Sequence, residues 1–288
     1  VDLTLLPPLD AGGRKAAKVR LALGNWTLHL AGPPAALSAV CAVLSELRVD
    51  GEVPPAVTIA LSPDLRSATG AVGARTLWTL ALPPSGWLGA VVGHAVATLA
   101  NVLTRLLFIH AGAIAAEGQG CVIVGESGAG KTSLAASLIR AGAASMADDL
   151  VLLDPEHGTM LPVIIPLGVK AWTARAAGTL PAGREVACEG GTRYWLPDAR
   201  AHAPARAAMF VFVGRGGLPR LRPLTRGAAL LALGRHTSSL SRRHRLEDAF
   251  RGFARILPAA RCLTIGGRHP AALAPSVLRY LRAGVAAR

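Results

Sequence analysis

Residues 125–132 read Gly125-Glu126-Ser127-Gly128-Ala129-Gly130-Lys131-Thr132, and the octapeptide satisfies G-x-x-x-x-G-K-[ST] at every fixed position. The apolar run Cys121 to Val124 leads into it, and a helical run, Ser133 to Arg140, leaves it. That strand–loop–helix setting is what gives the pattern chemical meaning. Gly125, Gly128 and Gly130 allow a tight turn that brings backbone N–H groups against phosphate oxygens. The helix starting near Lys131 adds the positive end of its dipole. Lys131 is expected to reach β- and γ-phosphates and the Thr132 hydroxyl to ligate Mg²⁺. The loop residues Gly125, Glu126, Ser127, Gly128, Ala129, Gly130, Lys131 and Thr132, with Ser133 after them, are therefore the expected nucleotide contacts.

The surrounding sequence alternates strand-like and helix-like runs. Leu107 to Ala116 reads as one apolar strand, Ala144 to Ala147 and Leu150 to Leu153 as short ones. Strand, glycine turn, helix, strand is a βαβ signature and predicts an α/β sheet with ligands at strand C-termini. Asp148 and Asp149 follow the short run directly, sixteen residues past Thr132. Two adjacent carboxylates beside a bound nucleotide divide labour naturally: one holds Mg²⁺, the other accepts a proton from an attacking hydroxyl. His110 stands inside the first apolar run, where a histidine is more often a hydrogen-bonded core residue than a reactive one.

Further along, Met160 to Val169, Ala208 to Val213 and Arg261 to Ile265 are apolar segments; Ser241 to Leu257 and Pro270 to Leu281 read as helices; and residues 181–206 read as a long loop. Residues 1–100 are expected to form a small α+β module ahead of residues 101–288. In that module Val19 to Leu30 reads as a strand, and Leu37, Val40, Cys41, Leu44 and Leu47 mark the inner face of a helix. No residue from Thr76 to Thr104 is charged, but Pro83 and Pro84 cut the run and glycines and polar residues dilute the rest. A buried helix from Leu88 to Leu106 is expected, and no membrane span. Val1 to Pro8 is too short and too proline-rich for a secretory leader. Cys41, Cys121, Cys188 and Cys262 lack any C-x-x-C spacing, which suits a reducing, cytoplasmic setting.

Charge is segregated. Residues 1–199 hold 14 Lys and Arg against 15 Asp and Glu, whereas residues 200–288 hold 17 Arg against Glu247 and Asp248 alone. Such a block attracts anions. Few aromatics are interleaved and no base-reading motif is present, so nucleic acid is not expected; the arginines suit an acidic peptide, a protein or the nucleotide. His236 to Ser241 reads as a lid or a helix cap at Ser241, and Arg268-His269 as a turn or a nucleotide contact. Lys170, one of only four lysines, is a candidate contact for an anionic group.

The ordered set Ile109-His110, Gly125 to Thr132, Arg140-Ala141-Gly142 and Ala147-Asp148-Asp149 resembles the catalytic core of HPr kinase/phosphorylase, and resembles more closely the HPr-kinase-like proteins. The L-E-x-R-G segment of the bacterial enzyme has no counterpart, since the region reads Val163 to Lys170 without an acid. The resemblance implies a core sheet with flanking helices like the HPr kinase C-terminal domain, with ATP and Mg²⁺ as cofactors. It implies His110 beside the transferred phosphate, Asp149 as general base, Lys131 on the phosphates, and Thr132 with Asp148 at the metal. The implied activity is transfer of the ATP γ-phosphate to a Ser or Thr hydroxyl of a peptide or protein, a ribosomal peptide precursor among the acceptors, and a homo-oligomer of this chain is an open expectation. The alternative is a P-loop NTPase or a nucleotide-binding regulatory module without transfer.

Overall fold

The computed structural model describes residues 17–23, 26–47, 57–102, 106–215, 220–237, 246–266 and 269–286. Two units emerge, one of Val1–Val102 with Val186–Thr192, the other of Leu103–Glu185 with Arg193–Arg288. The first contains β1 (Ala17–Leu23), β2 (Trp26–Gly32), α1 (Pro34–Val43), β3 (Val57–Leu61), β4 (Ser67–Val72), β5 (Arg75–Ala81) and α2 (Trp87–Val102). Its sheet runs β1-β2-β3-β4-β5, with only the β2–β3 pair parallel. The expected single strand over Val19 to Leu30 is thus an antiparallel pair.

Leu37, Val40 and Cys41 on α1 are buried, and so are Leu44 and Leu47, although the helix ends at Val43 and Leu47 lies in a separate short turn, Ser45–Leu47. On α2 the buried positions Leu88, Val91, Val92, Ala95 and Val96 follow the same helical spacing. Each buried leucine or valine among them contributes roughly 1.5–3 kcal/mol by leaving water. Among the described residues no helix is long and apolar enough to cross a membrane. Trp78 of β5 lies over its cross-strand partner Gly70, where a Cβ would come within 2.3 Å of the ring, and its Nε1–H donates to Thr98 Oγ1 at 3.0 Å.

The second unit holds β6 (Leu107–Ile109), β7 (Ala111–Ala116), β8 (Gln119–Val124), α3 (Lys131–Arg140), β9 (Ala144–Ala147), β10 (Val151–Asp154), β11 (Thr159–Leu161), β12 (Leu167–Val169) and α4 (Ala171–Ala177). It continues through β13 (Gly183–Glu189) and β14 (Thr192–Pro197), of which the segment Val186–Thr192 belongs to the first unit, and through β15 (Ala205–Val213), β16 (Arg220–Pro223), α5 (Arg226–His236), α6 (Leu246–Ile256), β17 (Arg261–Gly266) and α7 (Ala274–Ala286). The architecture is mixed α/β, with a main sheet ordered β6-β10-β11-β15-β8-β7-β9 and β17 carrying β16 beside β15.

β8, β15 and β17 are parallel, so Val124, Val213 and Gly266 end at one edge. β7 is antiparallel to both β8 and β9, so β9 runs in the direction of β8 and also finishes at that edge. The expected βαβ unit is therefore present as β8–α3–β9 with β7 inserted between its strands. Cys121, Val122, Ile123 and Val124 are all fully buried, the pattern of a strand covered on both faces. Leu134 and Leu138 of α3 pack with Ile123, Val211, Ile265 and Val277 in the core beneath the edge.

Two expectations need correction. Leu107 to Ala116 is not one strand: β6 and β7 are separated by a bend at His110. Residues 181–206 are not a long loop, because β13 and β14 join through Gly190-Gly191, both at positive φ, and β14 pairs with β12. A two-residue turn with φ positive at both positions matches the twist of a hairpin.

Candidate functional site

The geometry of the edge follows from an interrupted ladder. β6 pairs with β10 through Ile109–Val151, and β7 pairs with β9 through Ala113–Ala147. One register serves both ladders, so unbroken pairing would set Gly112 opposite Asp148 and Ala111 opposite Asp149. Pairing fails at that point. His110 turns the first chain, and Leu150 N–H donates to Asp148 O at 2.8 Å around Asp149, whose φ is +62°. A three-residue turn of this hand is strained, and aspartate is among the few side chains that tolerate positive φ. The strain sits where the carboxylates leave the sheet. β9 is held on its outer side by Val163 N–H to Met146 O at 2.9 Å and Ser145 N–H to Ala199 O at 2.8 Å, which fixes Asp148.

The two aspartates have different surroundings. Asp148 is 2% exposed, its Oδ2 accepts from Gly168 N–H at 2.9 Å, and its Oδ1 lies 3.5 Å from Thr132 Oγ1. Burial first, and the neighbouring Asp149 charge second, raise its pKa to about 7 against the pull of Gly168 N–H and Lys131. Asp149 is largely exposed, with Oδ1 3.9 Å from His110 Nε2, too far for a hydrogen bond.

Gly125 lies against Val213, whose carbonyl oxygen would be 2.6 Å from a Cβ there. Gly130, at φ +103°, lies against Pro270, whose ring would be 2.7 Å from a Cβ. These two glycines admit no larger side chain without movement. Ala129 N–H donates to Glu126 O at 3.1 Å, while the amides of Gly128, Gly130, Lys131 and Thr132 have no protein acceptor among the described residues. Lys131, only 6% exposed, donates through Nζ to Gly125 O at 2.9 Å and Glu126 O at 3.3 Å. Burial lowers its pKa, opposed by Asp149 and Asp148. Ser133 is fully buried behind the loop, its hydroxyl without a partner among the described residues.

His110, residues 125–132, Asp148 and Asp149 thus meet at one edge. Lys170 is the exposed residue before α4, two positions beyond the Gly168 that holds Asp148. Two further neighbours are marked in the sequence only as parts of larger segments, Arg215 in the basic block and His236 at the start of the His236 to Ser241 lid or cap. Arg215, two residues past β15, donates to Ser127 O and approaches Glu126 Oε2 at 3.9 Å. His236 ends α5, and its carbonyl accepts His110 N–H at 3.0 Å. A glycine-arginine pair just beyond an apolar run is the local signal for Arg215, and nothing in the sequence ties the His236 segment to His110.

The remaining basic residues are largely engaged elsewhere: Arg251 with Glu247 and Asp248, Arg282 with Glu117, Arg226 with Pro258 O, and Arg261 over Tyr280. Ser238 to Ser241, Arg242, Arg243, Arg245 and Arg268 lie outside the described residues. His269 precedes the short turn carrying Pro270, the residue against Gly130.

The donor set admits a divalent cation. Asp148 and Thr132 offer hard oxygen atoms across 3.5 Å, and Asp148 is a buried carboxylate short of countercharge. Among the described residues no cluster of three or more His, Cys, Asp or Glu is present.

No family model and no curated protein matches this chain. Among solved structures, the HPr(Ser) kinase/phosphatase from Coxiella burnetii is a distant match, 14% identical with a TM-score of 0.32, over 62% of this chain and 92% of that one.

Proposed function

We propose that the chain is an ATP-dependent kinase that transfers the γ-phosphate to a serine or threonine hydroxyl of a peptide or protein. The reading rests on one juxtaposition: the glycine-rich loop ending in Lys131 and Thr132 shares a sheet edge with the Asp148–Asp149 pair and His110. The P-loop signature at residues 125–132 and the acidic pair after β9 support phosphoryl transfer together more strongly than either does alone. In this reading residues 101–288 form the kinase domain and residues 1–100 an accessory module.

The free amides of Gly128, Gly130, Lys131 and Thr132 cradle the phosphates, and Lys131 neutralises charge on the β and γ groups. Thr132 and Asp148 would hold Mg²⁺, which when bound neutralises phosphate charge and orients the triphosphate. Asp149, exposed beside the buried Asp148, accepts the acceptor's hydroxyl proton. The hydroxyl oxygen forms its bond to the γ-phosphorus as the bond to the bridging β–γ oxygen breaks, and ADP leaves. His110 sits beside Asp149 at the open side of the edge, where it orients the transferred group.

The test is incubation of the full chain with γ-labelled ATP, Mg²⁺ and serine- or threonine-containing peptides. Acid-stable label on the peptide that disappears in Asp149→Asn, with nucleotide binding retained, is the expected result. Label released only as free phosphate, to the same extent in Asp149→Asn, would exclude kinase action.

A further inference from the structure

We propose that His236 is a second imidazole of this site, placed to hydrogen-bond the terminal phosphate of a bound nucleoside triphosphate. The proposal rests on the phosphoryl-transfer reading above and adds to it a residue that senses the γ-phosphate.

Backbone geometry ties His236 to the edge. Its carbonyl accepts His110 N–H at 3.0 Å, and a bridge between Ile109 and Thr237 continues that pairing. Thr237 Oγ1 donates to Leu233 O at 2.9 Å and closes the last turn of α5. Gly234 allows Phe250 of α6 to pack against the same turn, since a Cβ there would be 2.6 Å from the ring. The end of α5 is therefore anchored on both sides, and the His236 backbone is held at the bend that carries His110.

The half-buried imidazole lies among charges from three other segments: Lys131 from the first turn of α3, His110 from the bend, and Glu126 from the glycine-rich loop, with Arg235 beside it on α5. Burial first, then Lys131 and His110, depress its pKa, and Glu126 opposes them. The lowered pKa favours the neutral ring, and Lys131 and His110 outweigh Glu126 in its surroundings. The γ-phosphate of a triphosphate held by Lys131 supplies the opposing negative charge. It reverses the field at His236 and favours an N–H donated to a phosphate oxygen, as does the position of the ring at a helix C-terminus. The proposed contact is to the γ-phosphate, which a diphosphate lacks, so it discriminates triphosphate from diphosphate.

The experiment is an NMR pH titration of the full chain with labelled imidazole carbons. His236 is assigned with His236→Gln, whose melting temperature serves as a check on folding. Spectra are taken with Mg²⁺ alone, with MgADP, and with Mg²⁺ and a non-hydrolysable ATP analogue. The expected result is a His236 pKa raised by about one unit or more with the triphosphate and much less with ADP. His236→Gln should also weaken triphosphate binding about five- to tenfold and leave ADP binding unchanged. If the amides of Gly128 and Gly130 report triphosphate binding while His236 titrates as before, the proposal is overturned and the phosphoryl-transfer reading survives. If neither those amides nor His236 responds, both fall.

Discussion

Replacing Asp148 by asparagine should stabilise the protein at neutral pH and remove its use of Mg²⁺. Burial and the Asp149 charge raise the pKa of Asp148 from 3.8 to about 7. Between those values the unfolded chain releases this proton while the native state keeps it. The native state then binds more protons, and stability falls as pH rises. One proton gives a slope of up to about 1.4 kcal/mol per pH unit. Across the window the ceiling is about 4 kcal/mol, absent below pH 4 and complete above pH 7. The substituted amide carries no such charge, its carbonyl can still accept Gly168 N–H, and its NH₂ group can face Thr132, so packing is preserved. Urea unfolding in chelator-containing buffer from pH 4 to 8 measures the difference between the two proteins, and contributions common to both cancel. Stability of wild type relative to Asp148→Asn should fall steadily over that range. Adding MgATP at a hundred times its dissociation constant should then stabilise wild type by about 2.7 kcal/mol and the variant far less. Parallel stability curves would refute the burial argument, and equal stabilisation by MgATP would refute the metal role of Asp148.

Further substitutions test the edge piece by piece. Gly130→Ala forces a Cβ at φ +103° toward the Pro270 ring, and should cost about 1–3 kcal/mol in thermal or urea unfolding while weakening nucleotide binding. Asp149→Gly relieves the φ +62° turn and should leave stability unchanged or raise it by about 1 kcal/mol, even as phosphoryl transfer is lost; marked destabilisation would show the turn is unstrained. In native protein a thiol reagent should label the exposed Cys188 alone, because Cys41, Cys121 and Cys262 are buried and burial raises the Cys121 and Cys262 pKa values to about 12 and about 11. Rapid labelling of two or more thiols per chain would contradict that packing.

What the sequence made legible was local. Glycine spacing at residues 125–132 encodes a backbone path, and Gly125 and Gly130 prove to be positions that Val213 and Pro270 close to any side chain. Helical spacing of Leu37, Val40, Cys41, Leu44 and Leu47 marks five residues that are all buried, but the helix stops at Val43, before the last two. Elements whose signal is carried by polar residues were missed: Gly190-Gly191 is a hairpin signal, but charged Arg184, Glu185 and Glu189 masked the strand before it. The antiparallel β7 inside a βαβ unit was not legible either, because register and strand order are set by packing across the sheet. For the same reason the interrupted ladder at His110 and Asp149 looked like two unrelated apolar runs. Arg215 and His236 come to the edge from far along the chain, so residue spacing near the loop carries no trace of them.

Calorimetric titration of MgATP into wild type and Lys131→Ala shows whether residues 125–132 bind nucleotide. One site per chain is expected in wild type, with an affinity lower by at least about tenfold in the variant through the loss of a charge-assisted contact to phosphate. Absence of binding by wild type, or equal affinity in both proteins, would contradict nucleotide binding at residues 125–132.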